Sequence, residues 1–181
     1  MTRQARDFVI LFQDEGRFGR ISDVRACWAP GGVRPKVPRQ VVRQSLYAYA
    51  AVAPMEGSMV SRLAPKCNTE QFGHFLEDVA HAYAGRQIIM FLDGAGWHKA
   101  KALNIPPHMR LEFLPPYTPE CNPVEHVWDE VREKGFANRL FATLDDVKAR
   151  LKTELALLAE SPERLGQLTC FTWIRGWLLY L

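Results

Sequence analysis

Three carboxylates stand where buried segments of this chain end. Phe8–Phe12 (FVILF) is a continuous apolar run too short for a helix, the pattern of a strand buried on both faces, and Gln13-Asp14-Glu15-Gly16 follows it. Ile88–Leu92 (IIMFL) is a second such run, followed directly by Asp93. The third acid, Glu125, comes after Leu114–Cys121, where Pro115, Pro116 and Pro119 exclude a regular helix or central strand and predict a stiff, extended connector. An acid at the end of a buried strand is costly unless something pairs with it. Carboxylates brought together repel one another, and bound cations resolve that repulsion. Oxygen-only ligand sets favour Mg²⁺ or Mn²⁺. Two such ions about 4 Å apart can activate an attacking oxygen and stabilise the leaving oxygen of a phosphodiester.

The elements around these acids must deliver them to one place. Asn122 is a favoured N-cap residue and Pro123 suits the first helical position. Val124, Val127, Trp128 and Val131 then repeat at helical spacing as a buried stripe, with Glu125 in the first turn beside it. Asn122 and Glu125 also have capping-box spacing, and an acid in a first turn suits the helix dipole, so a purely structural Glu125 is a competing reading. Asp129, one turn further along the same face, is the rival third ligand, but it lies farther from the connector. For Asp14 the structural alternative is to open a turn before Gly16. Strand alternation puts Asp14 on the face of Phe12 and Ile10, and Glu15 on the other.

The remaining pattern predicts the scaffold. Val41–Val52 and Ser58–Leu63 read as strands that follow the first in an antiparallel meander, with Gly16–Pro38 an irregular arm containing a short strand at Arg25–Trp28 and a turn at Pro30-Gly31-Gly32. A helix begins at Asn68 or Thr69, carries Phe72, Phe75, Leu76, Val79 and Tyr83 inward, and ends at Gly85. Leu111–Leu114 is a brief strand, Thr143 caps a helix with Leu144, Val147, Leu151, Leu155 and Leu158 on one side, and Pro162 starts another. Such an order predicts an α/β fold: three antiparallel strands, then parallel ones, in a mixed sheet flanked by helices. Ligands in such sheets collect beyond the carboxyl ends of the central strands, where Asp14 and Asp93 fall.

At 181 residues, 48% hydrophobic and 24% charged, the chain is expected to be one soluble domain. No apolar run is long enough to cross a bilayer, and four cysteines without a CxxC pair point to reduced thiols in the cytoplasm. Net charge is only +3, yet between Gly16 and Arg43 seven basic residues (Arg17, Arg20, Arg25, Arg34, Lys36, Arg39 and Arg43) face one acid, Asp23. A concentration of this kind is the footprint of a phosphate-backbone binder, or else a solvated loop. The segment after Gly96 reads as a short helix; its Lys99 and Lys101 extend the candidate DNA contacts, and His98 joins them as a partner of phosphate or metal-bound water, with a structural role equally open. His74, His81 and His126 read as packing or surface residues. Trp97 and Trp128 read as core, with base stacking an alternative for Trp97.

Three blocks carry a resemblance: Phe12-Gln13-Asp14-Glu15, Leu92-Asp93-Gly94-Ala95-Gly96-Trp97-His98, and Leu114-Pro115-Pro116-Tyr117-Thr118-Pro119 running into Asn122-Pro123-Val124-Glu125-His126-Val127-Trp128. Their order, and the 32 positions from Asp93 to Glu125, resemble the catalytic domain of DDE transposases of the insertion-sequence six-thirty/mariner superfamily over nearly the whole chain. The resemblance implies a ribonuclease H-like fold in a single catalytic domain over residues 1–181. It implies two Mg²⁺ (or Mn²⁺) ions held by Asp14, Asp93 and Glu125, and cleavage and strand transfer of DNA. It further implies transposon ends and target DNA as partners, insertion at TA dinucleotides, a homodimer, and a nucleoid-associated cytoplasmic location in a bacterium. Gly94 departs from the family pattern, where Asn is common. Relatives also carry a helix-turn-helix region before the catalytic domain, so this chain is expected to be either a fragment or a second-frame product whose helix-turn-helix region is a separate polypeptide. Two other readings share parts of this pattern: a ribonuclease H-like nuclease or resolvase that only hydrolyses, and a decayed module that binds DNA without cutting it.

Overall fold

The computed structural model describes residues 8–178, with side chains through Gly176. The apolar run at the start opens a longer strand than its hydrophobicity suggests. β1 spans Phe8–Ile21, and its two neighbours treat it differently. β4 (Gln87–Leu92) pairs with it in parallel from Phe8↔Gln87 to Phe12↔Phe91. β2 (Val41–Ala53) pairs with it antiparallel from Phe12↔Val52 through to Ile21↔Val41, with an irregularity between Gly19 and Ile21. β3 (Ser58–Ala64) adds antiparallel to β2, and β5 (Met109–Phe113) adds parallel to β4. The sheet order is therefore β3-β2-β1-β4-β5, the mixed sheet expected.

Alternate residues of the central strands feed two cores, as a sheet covered on both faces requires. Val9, Leu11, Ile88 and Met90 face α1 (Thr69–Ala82), whose Phe72, Phe75, Leu76 and Val79 are wholly buried. Asn68 caps α1 by accepting from the Gln71 amide at 2.9 Å. Ile10, Phe12 and Phe18 face the opposite layer of α2 (Val124–Val131), α3 (Leu144–Ala159), α4 (Pro162–Thr169) and α5 (Thr172–Leu178). α3 begins with a complete capping box between Thr143 and Asp146. Of the apolar end of the chain, Ile174 is buried in this core and Trp173 meets Phe12 edge-on, while 179–181 lie outside the described residues.

Two local expectations are corrected. Arg25–Trp28 forms no strand: residues 24–30 are irregular, and only Asp23 makes an isolated bridge, to Ala137. The segment after Asp93 is a run of turns rather than a helix. The small residues Gly94 and Gly96 there favour tight turns over helix. No helix among the described residues is long and apolar enough to cross a membrane.

Candidate active site

β4 stops pairing with β1 at Phe12, so the next residues of β1 lose one neighbour and an opening forms beside Asp14. Asp14 consequently lies within a strand, not at its end as the apolar run suggested. Its pairing to β2 continues at Asp14↔Ala50. Asp93 leaves the carboxyl end of β4, next to that opening. From β5 the chain crosses through Leu114–Pro119, makes one tight turn at Pro119–Cys121 and enters α2. Together these segments enclose a cleft of about 420 Å³ lined by Asp14, Asp93, Lys99, the proline connector, Asn122 and Glu125. The rival Asp129 is exposed and does not line it.

The start of α2 is fixed by a residue that the capping pattern only half explains. Asn122 is buried, and its Nδ2 donates to the Gln13 carbonyl at 2.8 Å. Its Oδ1 accepts from the Val124 amide at 3.2 Å, so the expected box with Glu125 is not formed. Glu125 thus turns its carboxylate to the cleft rather than to the helix end. One turn on, Trp128 is 1% exposed and its Nε1 donates to Asp14 Oδ2 at 2.8 Å. Reading Trp128 as core was correct but incomplete. Its i+3 spacing from Glu125 was the available sign that both reach the same strand.

Electrostatics inside the cleft call for positive charge. Burial, and next the charge of Glu125, push Asp14 up to about 7, against the pull of the Trp128 hydrogen bond. Asp93 is different: its side chain is 60% exposed, and it is lowered from the ordinary aspartate value. The hydrogen bond from His98 is the main cause, and the Ala95 amide at 3.0 Å adds to it. Hard oxygen donors on three elements around one cleft fit Mg²⁺ or Mn²⁺ by ligand type. They do not form a closed cage here. Among the described residues no three His, Cys, Asp or Glu side chains are grouped to hold a metal ion.

His98 is also corrected as a DNA contact. It is 2% exposed and packs 4.4 Å from the Phe72 ring, out of reach of a phosphate. Its Nδ1 lies 2.9 Å from Asp93 Oδ1 and 3.1 Å from the Asp93 carbonyl, and its Nε2 lies 2.8 Å from Glu15 Oε1. Burial pulls its pKa down, but hydrogen bonds to Asp93 and Glu15 outweigh burial and push it up to about 9, so both ring nitrogens donate near neutral pH. Glu15, which alternation placed on the far face, also accepts from Trp97 Nε1 at 3.3 Å.

The basic candidates divide. Lys99 stands at the cleft with its Nζ 4.7 Å over the Phe113 ring, and Lys101 is exposed nearby. Arg34, Lys36 and Arg39 are exposed on the arm between β1 and β2. Arg17 is exposed and bonds Ser45 Oγ at 3.0 Å, while Arg20 donates to the Phe141 carbonyl and to Gln44. Arg25 is corrected: Asp23 at 3.0 Å and Glu133 at 3.1 Å neutralise it, so it ties the arm to the helical layer instead of presenting charge.

The family model of the DDE superfamily endonucleases matches residues 9–148, a stretch that contains the whole cleft. The chain belongs to the DDE superfamily endonucleases. A relative from Sinorhizobium fredii (strain NBRC 101917 / NGR234), known as uncharacterized protein y4pE/y4sA, is 32% identical over 128 residues, 70% of this chain and 95% of that protein. Among solved structures, the pre-cleavage Mos1 transpososome matches 93% of this DDE chain with a TM-score of 0.60 at 14% identity. The Mos1 strand transfer complex matches 93% with a TM-score of 0.56 at 17% identity. At that identity the likeness establishes the ribonuclease H-like fold. The chain spans a little over half of those Mos1 chains, 57% and 56% respectively.

Proposed function

We propose that this DDE domain cuts DNA and joins the freed 3′ end to a target, as the catalytic part of a transposase. The observation that carries the reading is the single cleft into which β1, β4 and α2 direct Asp14, Asp93 and Glu125. Those three carboxylates would hold divalent cations, two by the chemistry of phosphodiester transfer. When bound, Mg²⁺ or Mn²⁺ would make the attacking oxygen more acidic and neutralise charge on the leaving oxygen. Similarity to Mos1 structures described as paired-end complexes with Mn and with Mg supports that choice of metal.

The chain's own residues bind and orient. Trp128 and Asn122 hold Asp14 and the α2 start against β1. Lys99 at the mouth, with the exposed Arg34, Lys36 and Arg39 on the arm, would track phosphates without reading sequence. In the first step water oxygen bonds to phosphorus and the bond to the 3′ oxygen breaks, leaving a 3′-hydroxyl and a 5′-phosphate. In the second step that hydroxyl attacks a target phosphodiester and releases a target 3′-hydroxyl. Both are displacements at phosphorus that need no redox partner. Recognition of the ends is assigned to a helix-turn-helix segment outside these residues, the active species to a homodimer, the insertion site to TA, and the site of action to the bacterial nucleoid.

A Mg²⁺-dependent assay on DNA carrying the element ends tests this. Cleaved and joined products are expected from the wild type, and neither from Asp93→Asn, which keeps shape and removes charge. Cut DNA with no joined product would favour a purely hydrolytic nuclease. Cleavage undiminished in Asp93→Asn would remove Asp93 from the reaction.

A further inference from the structure

Behind the cleft, on the α1 side of the sheet, lies a polar arrangement that the cutting chemistry does not use directly. Glu15 follows Asp14 on the same strand but points to the opposite face, where a carboxylate has little access to water; its side chain is 7% exposed. There it meets His98, whose side chain is fully buried, at 2.8 Å. The other edge of the same imidazole meets Asp93 twice, at Oδ1 and at the main-chain carbonyl. Trp97 Nε1 gives Glu15 a second donor, and the Phe72 ring packs on the imidazole. The ring therefore has two polar edges gripped and one face packed, so it cannot turn without breaking all of these contacts.

Burying a carboxylate and an imidazole costs several kcal/mol unless their geometry is good, and an apolar pair would fill the same space more cheaply. A metal ligand, by contrast, gains from a partner that fixes its orientation. Both contacts on the Asp93 carboxylate, from His98 Nδ1 and from the Ala95 amide, land on Oδ1. Oδ2 is the oxygen left for the cleft.

We infer that Glu15 and His98 form a positioning strut that runs from β1 to Asp93, locking Oδ1 so that Oδ2 is presented to the divalent cation. The strut links the two catalytic strands: Glu15 belongs to β1 and Asp93 follows β4, at the level where direct pairing between them has ended. Neither residue is catalytic. Each acts through Asp93, and the inference rests on the metal-dependent reading above.

The test is Mn²⁺ binding to the full chain without DNA, followed by the electron paramagnetic resonance of free Mn²⁺. His98→Phe keeps a ring against Phe72 and removes both donors. Its Mn²⁺ affinity is expected to fall about tenfold, the lower range for losing a partner behind a metal ligand. His98→Asn, which keeps a donor near Asp93, should recover part of that loss. Glu15→Gln retains an acceptor for His98 and should show a smaller fall in the same direction, which covers the case of a His98→Phe that does not fold. DNA affinity in EDTA should match the wild type in all three. A folded His98→Phe or Glu15→Gln protein that binds Mn²⁺ as tightly as the wild type, or more tightly, overturns the strut. Wild-type protein that binds no Mn²⁺ at all would instead sink the metal-dependent function, and the strut with it.

Discussion

Trp128 Nε1 donates a 2.8 Å hydrogen bond to Asp14 Oδ2, so the buried stripe of the helix bearing Glu125 also grips the acid on the first strand. Trp128→Phe keeps an aromatic ring against Phe18, removes this donor and leaves a small cavity where the larger indole stood. A hydrogen bond to a charged group is worth roughly 1.5–3 kcal/mol, so the Mg²⁺ concentration for half-maximal cleavage should rise by about tenfold or more. Titration of cleavage rate against Mg²⁺ for the two proteins measures it. An unchanged midpoint would make Trp128 core filling alone.

Asp14 gives the metal-free protein a pH dependence of definite sign. Folded, it holds its proton up to about 7; unfolded, it titrates near the ordinary 3.8. A raised folded value stabilises below the unfolded pKa, and that stability is lost as pH rises through the folded one. In EDTA, melting temperature should therefore decline between about pH 4 and pH 7. The decline should be shallower in Asp14→Asn, whose amide has no charge to bury. Parallel melting curves for both proteins across that range would remove the burial of Asp14 as its cause.

Asn122→Ala severs two bonds at once, to the Gln13 carbonyl and from the Val124 amide. Leaving a buried backbone group unsatisfied costs about 1–3 kcal/mol. Urea denaturation should show a loss of that size. Cleavage should fall further than stability does, because the α2 start no longer has its tie to β1. Loss of stability with full activity per folded molecule would separate the tie from the positioning of Glu125.

Lys99 is held over Phe113 at the mouth of the cleft. Lys99→Ala should weaken DNA binding evenly across sequences and reduce the salt slope of log affinity by about 1. Gly94→Asn makes a complementary test. A Cβ at Gly94 would lie 2.6 Å from Lys99 Nζ, the mobile end of that side chain, so the fold should be kept while the lysine is displaced. Fluorescence anisotropy at several salt concentrations reads both variants.

The elements were legible wherever hydrophobic period and capping agreed, as in α1 with Asn68 and α3 with Thr143. The length of β1 was not, because beyond Phe12 the residues Gln13, Asp14, Glu15 and Arg17 break the apolar run that marked it. The three acids could be named because each follows a segment whose composition fixes its place. That they line one cleft follows from the sheet order, but the side-chain partners of each carboxylate do not. His98 illustrates the limit: a histidine five positions after an acid looks like a phosphate contact until α1 is seen to bury it against Phe72. Arg25 counts as basic in any composition, and only the fold sets Glu133 beside it.

β1 outlasts β4 and continues in an antiparallel ribbon with β2 and β3, carrying Asp14 and Arg17 on one uninterrupted backbone. The ribbon is in effect a ruler. At about 3.3 Å per residue, the arginine is offset by roughly 10 Å along the strand from the carboxylate. Insertion of a single residue between them would not merely lengthen that offset. It would turn every later side chain of the ribbon to the opposite face, exchanging Phe18 for a polar neighbour in the core.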